Sequence, residues 1–249
     1  MKRPPVTTLW LAVLAVTTLT AIGCSSSTKK EEQLLEELSN LDKDTIFERA
    51  ETLYADKEYT DARQLFAFVY DSFPNDPLGH KAALRVADTY AVKKDVTNLT
   101  EARLRYRDFA NRYPNDPDRD YALLMVGHTF SARKLRPDRD LSSIREALGA
   151  YQQLTTLYPD SQYAPEANDR MGDLKELLAE HEWLVSTFYY RNKRWTGAKW
   201  RLEYIVENYP EYSKIDQVNE RILAIQEKLD AAEARYKKLI EERTKKIED

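Results

Sequence analysis

The chain has 249 residues, 42% hydrophobic and 32% charged, with a formal net charge of −4 and only 6 glycines. That length can bury one long core or two modest ones, and the wealth of Leu, Ala, Glu, Lys and Arg favours helix over strand. No block of basic residues stands clear of acids, which excludes the electrostatic footprint of a nucleic-acid binder, and the single cysteine excludes an intrachain disulfide.

The chain opens on Met1-Lys2-Arg3, followed by an uncharged apolar and threonine stretch over residues 6–22. Ala21-Ile22-Gly23-Cys24 then precedes Ser25-Ser26-Ser27-Thr28. A positive start, an apolar run and small residues at its end predict a secretory signal over residues 1–23. The cysteine after the small residue resembles a bacterial lipobox, with Ala21 where leucine is usual. Cys24 is therefore the expected lipidation site, and no other cofactor is expected. A transmembrane anchor is the competing reading, but the stretch is barely long enough to span and no stop-transfer pattern follows. Several acyl chains anchor stably where one does not. Ser25 in place of Asp points, by analogy with such lipoproteins, to the outer membrane. Losing Lys2 and Arg3 and no acid takes the mature part to −6. Residues 24–40 read as lipidated cysteine and linker.

The body from residue 41 reads as a repeat. Aromatic–proline pairs recur at Phe73-Pro74, Tyr113-Pro114, Tyr158-Pro159 and Tyr209-Pro210, each followed by polar turn residues. Proline cannot continue a helix, and Asn, Asp or Ser caps the next one. Upstream of each pair stand Ala62, Phe66 and Val69; Ala102, Tyr106 and Phe109; Ala147, Tyr151 and Leu154; Ala198, Leu202 and Ile205. Steps of four and three place each set on one helix face. The alanine admits a paired helix whose own close-packing positions are Ala50, Ala87, Gly127 and Ser186. This is the tetratricopeptide pattern, a helix–turn–helix repeat of about 34 residues. The first unit is residues 44–76. Longer turns are expected around residues 93–100 and 134–143, and a long helix over residues 164–180 before the fourth unit. Residues 215–247 form either one helix or a pair bending near Asp230. The predicted fold is an all-α tetratricopeptide solenoid of about five helix pairs. Repeats one to three span residues 41–161 and repeats four and five span 162–249.

Two stretches carry a family resemblance. One is Asp138-Arg139-Asp140, then Ala147, Tyr151, Leu154, Tyr158-Pro159-Asp160-Ser161 and Tyr163. The other is Ala179, Glu182, Tyr189-Tyr190, Trp195, Ala198, Arg201 and Tyr209-Pro210. The chain resembles the BamD family, lipoprotein subunits of the outer-membrane β-barrel assembly (BAM) machine, over nearly all of its mature length. The mixed-charge tail after Ile240 departs from the family pattern. The resemblance implies a non-enzymatic adaptor. Its expected partners are a BamA-like insertase, docked through the C-terminal repeats, and other BAM lipoproteins. Its N-terminal repeats are expected to hold C-terminal segments of unfolded outer-membrane β-barrel proteins, and its lipid to reach the outer membrane from the periplasmic side.

Helical counting from the packing alanine or glycine gives the faces of a substrate-peptide groove: Phe47, Glu51 and Tyr54; Lys81, Leu84 and Asp88; Tyr121, Leu124 and His128. Apolar patches ringed by polar groups suit an extended peptide with an aromatic end, and Lys81 suits its terminal carboxylate. The apolar members serve equally as packing between repeats. In the fourth repeat Trp200, Arg201 and Tyr190 are candidate docking anchors, since Trp, Tyr and Arg dominate interface energetics. The family resemblance assigns Arg201 to an acidic residue of the insertase's periplasmic domain nearest the barrel. Reversing it to Glu is expected to weaken co-purification without unfolding the chain. The three histidines, His80, His128 and His181, fall in separate units, and His181-Glu182 lacks the second histidine of a zinc-protease motif. No Gly-x-Ser-x-Gly motif or phosphate loop is present. A pilotin-type lipoprotein that escorts a secretin shares the architecture and is the alternative adaptor.

Overall fold

Each aromatic–proline pair ends a helix in the computed structural model, which describes residues 35–132, 136–138 and 140–248. The signal, the lipobox and Cys24 lie outside the described residues. Phe73, Tyr113, Tyr158 and Tyr209 are the helix C-caps, with φ between −119° and −136° and ψ between 55° and 69°. The following proline drives its predecessor out of the helical region. Each aromatic residue's N–H still bonds the carbonyl four residues back, on Val69, Phe109, Leu154 and Ile205. Those are the last members of the buried sets, so the stop and the core position are set together.

By contacts the chain divides into a unit ending at Arg85 and a unit beginning at Val86. The boundary expected after Ser161 falls within the second. In the first unit, one helical turn over residues 35–39 precedes α1 (Lys43–Ala55) and α2 (Tyr59–Ser72). The Asp42 carboxylate caps α1 by accepting from the Thr45 N–H at 2.9 Å. Ile46, Phe47 and Ala50 from α1 meet Ala62, Leu65, Phe66 and Val69 from α2, all buried. Burying the Phe66 ring alone is worth about 2–3 kcal/mol. The next helix, α3 (Pro77–Ala91), gives its residues up to Arg85 to this unit and the rest to the second.

The second unit continues with α4 (Val96–Arg112), α5 (Arg119–Ser131), α6 (Ser142–Leu157), α7 (Ala164–Arg191), α8 (Trp195–Asn208) and α9 (Ile215–Glu248). From α4 onward each helix packs on the next. Ala102, Tyr106 and Phe109, their α6 counterparts Ala147, Tyr151 and Leu154, and their α8 counterparts Ala198, Leu202 and Ile205 are all buried. Among the described residues the structure is helices and turns, which bears out the all-α repeat fold. Gly127 is needed at its packing slot, because a Cβ there would overlap the fully buried Tyr151 ring.

Two local expectations are corrected, and a third is decided between its alternatives. The turn before α4 is short, because Asp95 accepts from the Asn98 N–H and starts the helix at Val96. The helix expected to end at residue 180 runs unbroken to Arg191. Residues 215–248 form one 34-residue helix with no bend into a pair. Its first half packs Val218 and Ile225 against α7 and α8, whereas every side chain from 230 to 245 is exposed.

Candidate protein-docking surfaces

In the first unit the predicted groove positions divide by burial. Phe47 and Leu84 are 7% and 3% exposed and belong to the core, which corrects their placement on an open face. An array's inner helix is gripped by neighbours on several sides, so fewer of its positions stay open than helical counting from one contact suggests. Glu51 and Tyr54 are half-buried and Lys81 is exposed. Glu51 and Tyr54 are organised by a residue the sequence reading missed, Arg85. Its Nε donates to Glu51 Oε1 at 2.6 Å, and a second guanidinium N–H reaches the other Glu51 oxygen. The same guanidinium lies 4.4 Å from the centre of the Tyr54 ring, and the Lys81 ammonium lies 5.6 Å from that of Phe47. Tyr54 also meets Tyr59 edge-on at 5.3 Å. Alternating cations and rings hold each other in place here. At the far end of the hairpin Lys43 pairs with Asp76, and its ammonium holds the Asp76 carboxyl below the usual carboxylate range.

In the second unit Asp88 and Leu124 are also buried, which corrects both groove assignments. Asp88 accepts hydrogen bonds from the hydroxyls of Tyr106 at 2.5 Å and Tyr121 at 2.8 Å. It ties α3, α4 and α5 together, and a buried carboxylate needs such donors. Tyr121 is half-buried and its ring stands 5.7 Å from that of Tyr163. His128 lies edge-on to Tyr151, with ring centres 5.9 Å apart. Its Nε2 is buried 3.2 Å from Glu166 Oε1, yet the two are not aligned for a hydrogen bond. Burial pushes the imidazole below its ordinary pKa, against the opposing pull of Glu166.

The flank formed by α7 and α8 carries the other candidates. Trp200 is 57% exposed and stacks on Tyr204 at 6.0 Å, and Tyr204 meets Tyr209 at the same spacing. Burial, and then Tyr204, pushes the Tyr209 hydroxyl up to about 12. Arg201 sits 4.9 Å from the centre of the Trp200 ring and donates to the buried Glu182 carboxylate at 2.9 Å. Its partner is thus Glu182, whereas Glu203 pairs with Lys199. Tyr190 is half-buried, packing edge-on against Trp195 at 5.0 Å, so it supports the surface more than it presents one.

The fourth repeat reproduces the first at a constant offset of 136 positions, which also relates the arginines of the helices that follow them, Arg221 and Arg85. Tyr190 and Trp195 stand for Tyr54 and Tyr59, Trp183 for Phe47, Lys193 for Lys57, and Pro210 for Pro74. At two slots the chemistry changes. The buried apolar Ile46 and Leu65 become the ion pair of Glu182 and Arg201, and Glu51 becomes Thr187.

Among the described residues no group of three or more His, Cys, Asp or Glu side chains could hold a metal ion. No helix in that range is long and apolar enough to cross a membrane. A family model described as an outer membrane lipoprotein, YfiO, matches residues 39–242. The outer membrane protein assembly factor BamD of Xylella fastidiosa strain Temecula1 is 26% identical over 210 residues, covering 81% of this chain and 69% of that protein. The protein of the same name in Haemophilus influenzae is 27% identical over 211 residues, covering 81% and 76%. That in Vibrio cholerae matches a shorter stretch, 36% identical over 76 residues, or 30% and 32% of the two chains. The match extends across both units and both stretches that carried the resemblance, and the chain belongs to the YfiO family of outer membrane lipoproteins.

Proposed function

We propose that this chain is a non-enzymatic subunit of an outer-membrane β-barrel assembly complex, anchored on the periplasmic face by lipid on Cys24. Its α7–α8 flank docks on a BamA-like insertase, and its earlier repeats hold C-terminal segments of unfolded barrel proteins. The names of its relatives support the assembly role. The observation that carries the docking face is Trp200, a large exposed ring stacked on Tyr204 beside a guanidinium oriented by a buried carboxylate. Exposed aromatic and arginine anchors of this kind supply most of the binding energy in protein interfaces. The accessible members of the groove set carry client binding in each unit by itself: Tyr54 and Lys81 in the first, with Glu51 engaged by Arg85, and Tyr121 and His128 in the second. Phe47 and Leu84 support the first set from inside, and Asp88 and Leu124 the second.

The geometry changes the choice of mutation. Reversing Arg201 to Glu would press two carboxylates together and leave Glu182 buried without a cation, a loss of about 3–5 kcal/mol, so lost binding would be confounded with lost fold. Trp200→Ala removes a mostly exposed ring and is expected to leave the melting temperature within about 2 °C. The lipidated chain is purified from solubilised outer membranes and its partners are identified by mass spectrometry. The wild type is expected to retain the insertase, and Trp200→Ala to retain about tenfold less. Full recovery with the variant removes this face from the interface. A secretin recovered in place of the insertase overturns the assembly role.

A further inference from the structure

The helices that follow the first and fourth repeats carry the same arginine in two electrical states. Arg85 lies on the Tyr54 ring and is neutralised by Glu51. Arg221 lies 3.9 Å from the centre of the Trp183 ring and 5.7 Å from that of Tyr190. At the place of Glu51 it finds only the Thr187 hydroxyl, to which it donates at 2.9 Å. Among the described residues it has no carboxylate in ion-pair reach. The one charged group that acts on it, Arg191 at the end of α7, is a second cation and repels it. A guanidinium pinned to aromatic rings has lost much of its water and little of its charge, which raises the gain from meeting a carboxylate.

We propose that Arg221, with Trp183 and Tyr190 behind it, is a socket for a side-chain carboxylate of a partner protein, an aspartate or glutamate that takes the place Glu51 fills in the first repeat. Glu51 shows which group the socket fits: an acid approaching across Thr187, bonded by two guanidinium N–H groups. Leu184 and Phe188, three residues before and one after Thr187, are 42% and 62% exposed. They give the socket an apolar rim, so the partner's acid is flanked by an apolar side chain. Thr187 and Glu182 are five residues apart, about 140° around α7. The socket is therefore separate from the Trp200–Arg201 face and independent of the insertase assignment.

Thr187→Glu is the decisive variant, because it rebuilds the first repeat's ion pair and plugs the socket while adding a favourable contact. Its melting temperature is expected to equal or exceed the wild type's. Phage-displayed random octapeptides, whose C-termini are fused to the coat protein, are panned on the full chain and counter-selected on Thr187→Glu. Survivors are expected to carry Asp or Glu beside an apolar residue. Their synthetic, end-capped forms are expected to bind at least about tenfold more weakly after Asp→Asn or Glu→Gln in the peptide, or Arg221→Met in the protein. In a double-mutant cycle the two losses are expected not to add. The absence of survivors that discriminate against Thr187→Glu overturns the proposal, as do survivors without acids. Phosphatidylglycerol vesicles that bind the wild type but not Thr187→Glu would assign the cation to lipid headgroups and overturn it equally.

Discussion

His128 shows how far a single side chain departs from what its type suggests. Sequence spacing put it on a peptide face; the structure keeps it half-buried, with Nε2 against Glu166 and its ring against Tyr151. Its pKa is lowered from 6.5 chiefly by burial. The unfolded chain therefore binds a proton first, and stability is lost as pH falls through 6.5 toward the folded value. Urea denaturation at pH 8 and pH 5.5 is expected to show a loss at the lower pH that shrinks in His128→Gln; an equal loss in both would clear His128 of the effect. The same limit explains which site residues were legible. Phe47, Leu84 and Leu124 lie on helix faces that counting reaches correctly, but counting from one contact cannot tell how many neighbours grip a helix. Asp88 looked like a groove acid because the two tyrosines that bond it, Tyr106 and Tyr121, are 18 and 33 residues away. Arg85 went unnoticed because its partner Glu51 sits 34 positions earlier, a distance at which nothing in a single sequence links two charges.

At the scale of helices and turns the repeat was readable because its stops are chemical. A proline after an aromatic residue ends a helix wherever it occurs, and the stop sits a fixed four residues after a buried position. The opposite turn hid its regularity. Lys57 and Lys193, at equivalent places after α1 and α7, have φ of 67° and 57°, and each closes a Schellman turn. The Glu58 N–H reaches Leu53 at 2.9 Å in one, and the Arg194 N–H reaches Tyr189 at 2.9 Å in the other. Lysine gives no sequence signal for left-handed backbone, so these turns were invisible in advance. Replacing Lys57 or Lys193 by Gly should relieve the Cβ clash and stabilise the chain by about 0.5–1 kcal/mol; an unchanged or lower midpoint in denaturant would show that unfolded-state entropy dominates. Helix α9 was ambiguous for a related reason: its apolar stripe of Ile222, Ile225, Leu229, Tyr236 and Leu239 keeps helical spacing where packing has already ended. Tyr236, Leu239 and Ile240 stand 65%, 52% and 46% exposed. Without tertiary cover a helix of this length is marginal. Amides from about residue 233 onward are expected to exchange far faster than those of residues 218–229, and truncation after Asp230 should leave the melting temperature unchanged. A clear drop would mean the exposed half stabilises the body.

For the molecule as a whole, the class of fold was written in four recurrences of an alanine and two large apolar residues, and the buried sets match them position for position. The contact division at Arg85 was not legible, since it cuts through α3, whose helical pattern is continuous across it. Family membership rests on residues 39–242, a range that takes in every repeat core. Within that range the chain contains its own control. Ile46 and Leu65 show that two slots can be filled by hydrocarbon, and Glu182 and Arg201 fill their counterparts with charge. Exchanging a largely desolvated ion pair for well-packed aliphatics is often neutral or favourable by up to about 4 kcal/mol. The double substitution Glu182→Ile with Arg201→Leu is thus expected to raise the denaturation midpoint while weakening retention of the insertase; a lower midpoint would show that the charges hold the fold. Hardiness and sociability then compete for the same pair of positions. A version of this protein selected only to survive heat would be expected to drift toward hydrocarbon there and lose its company.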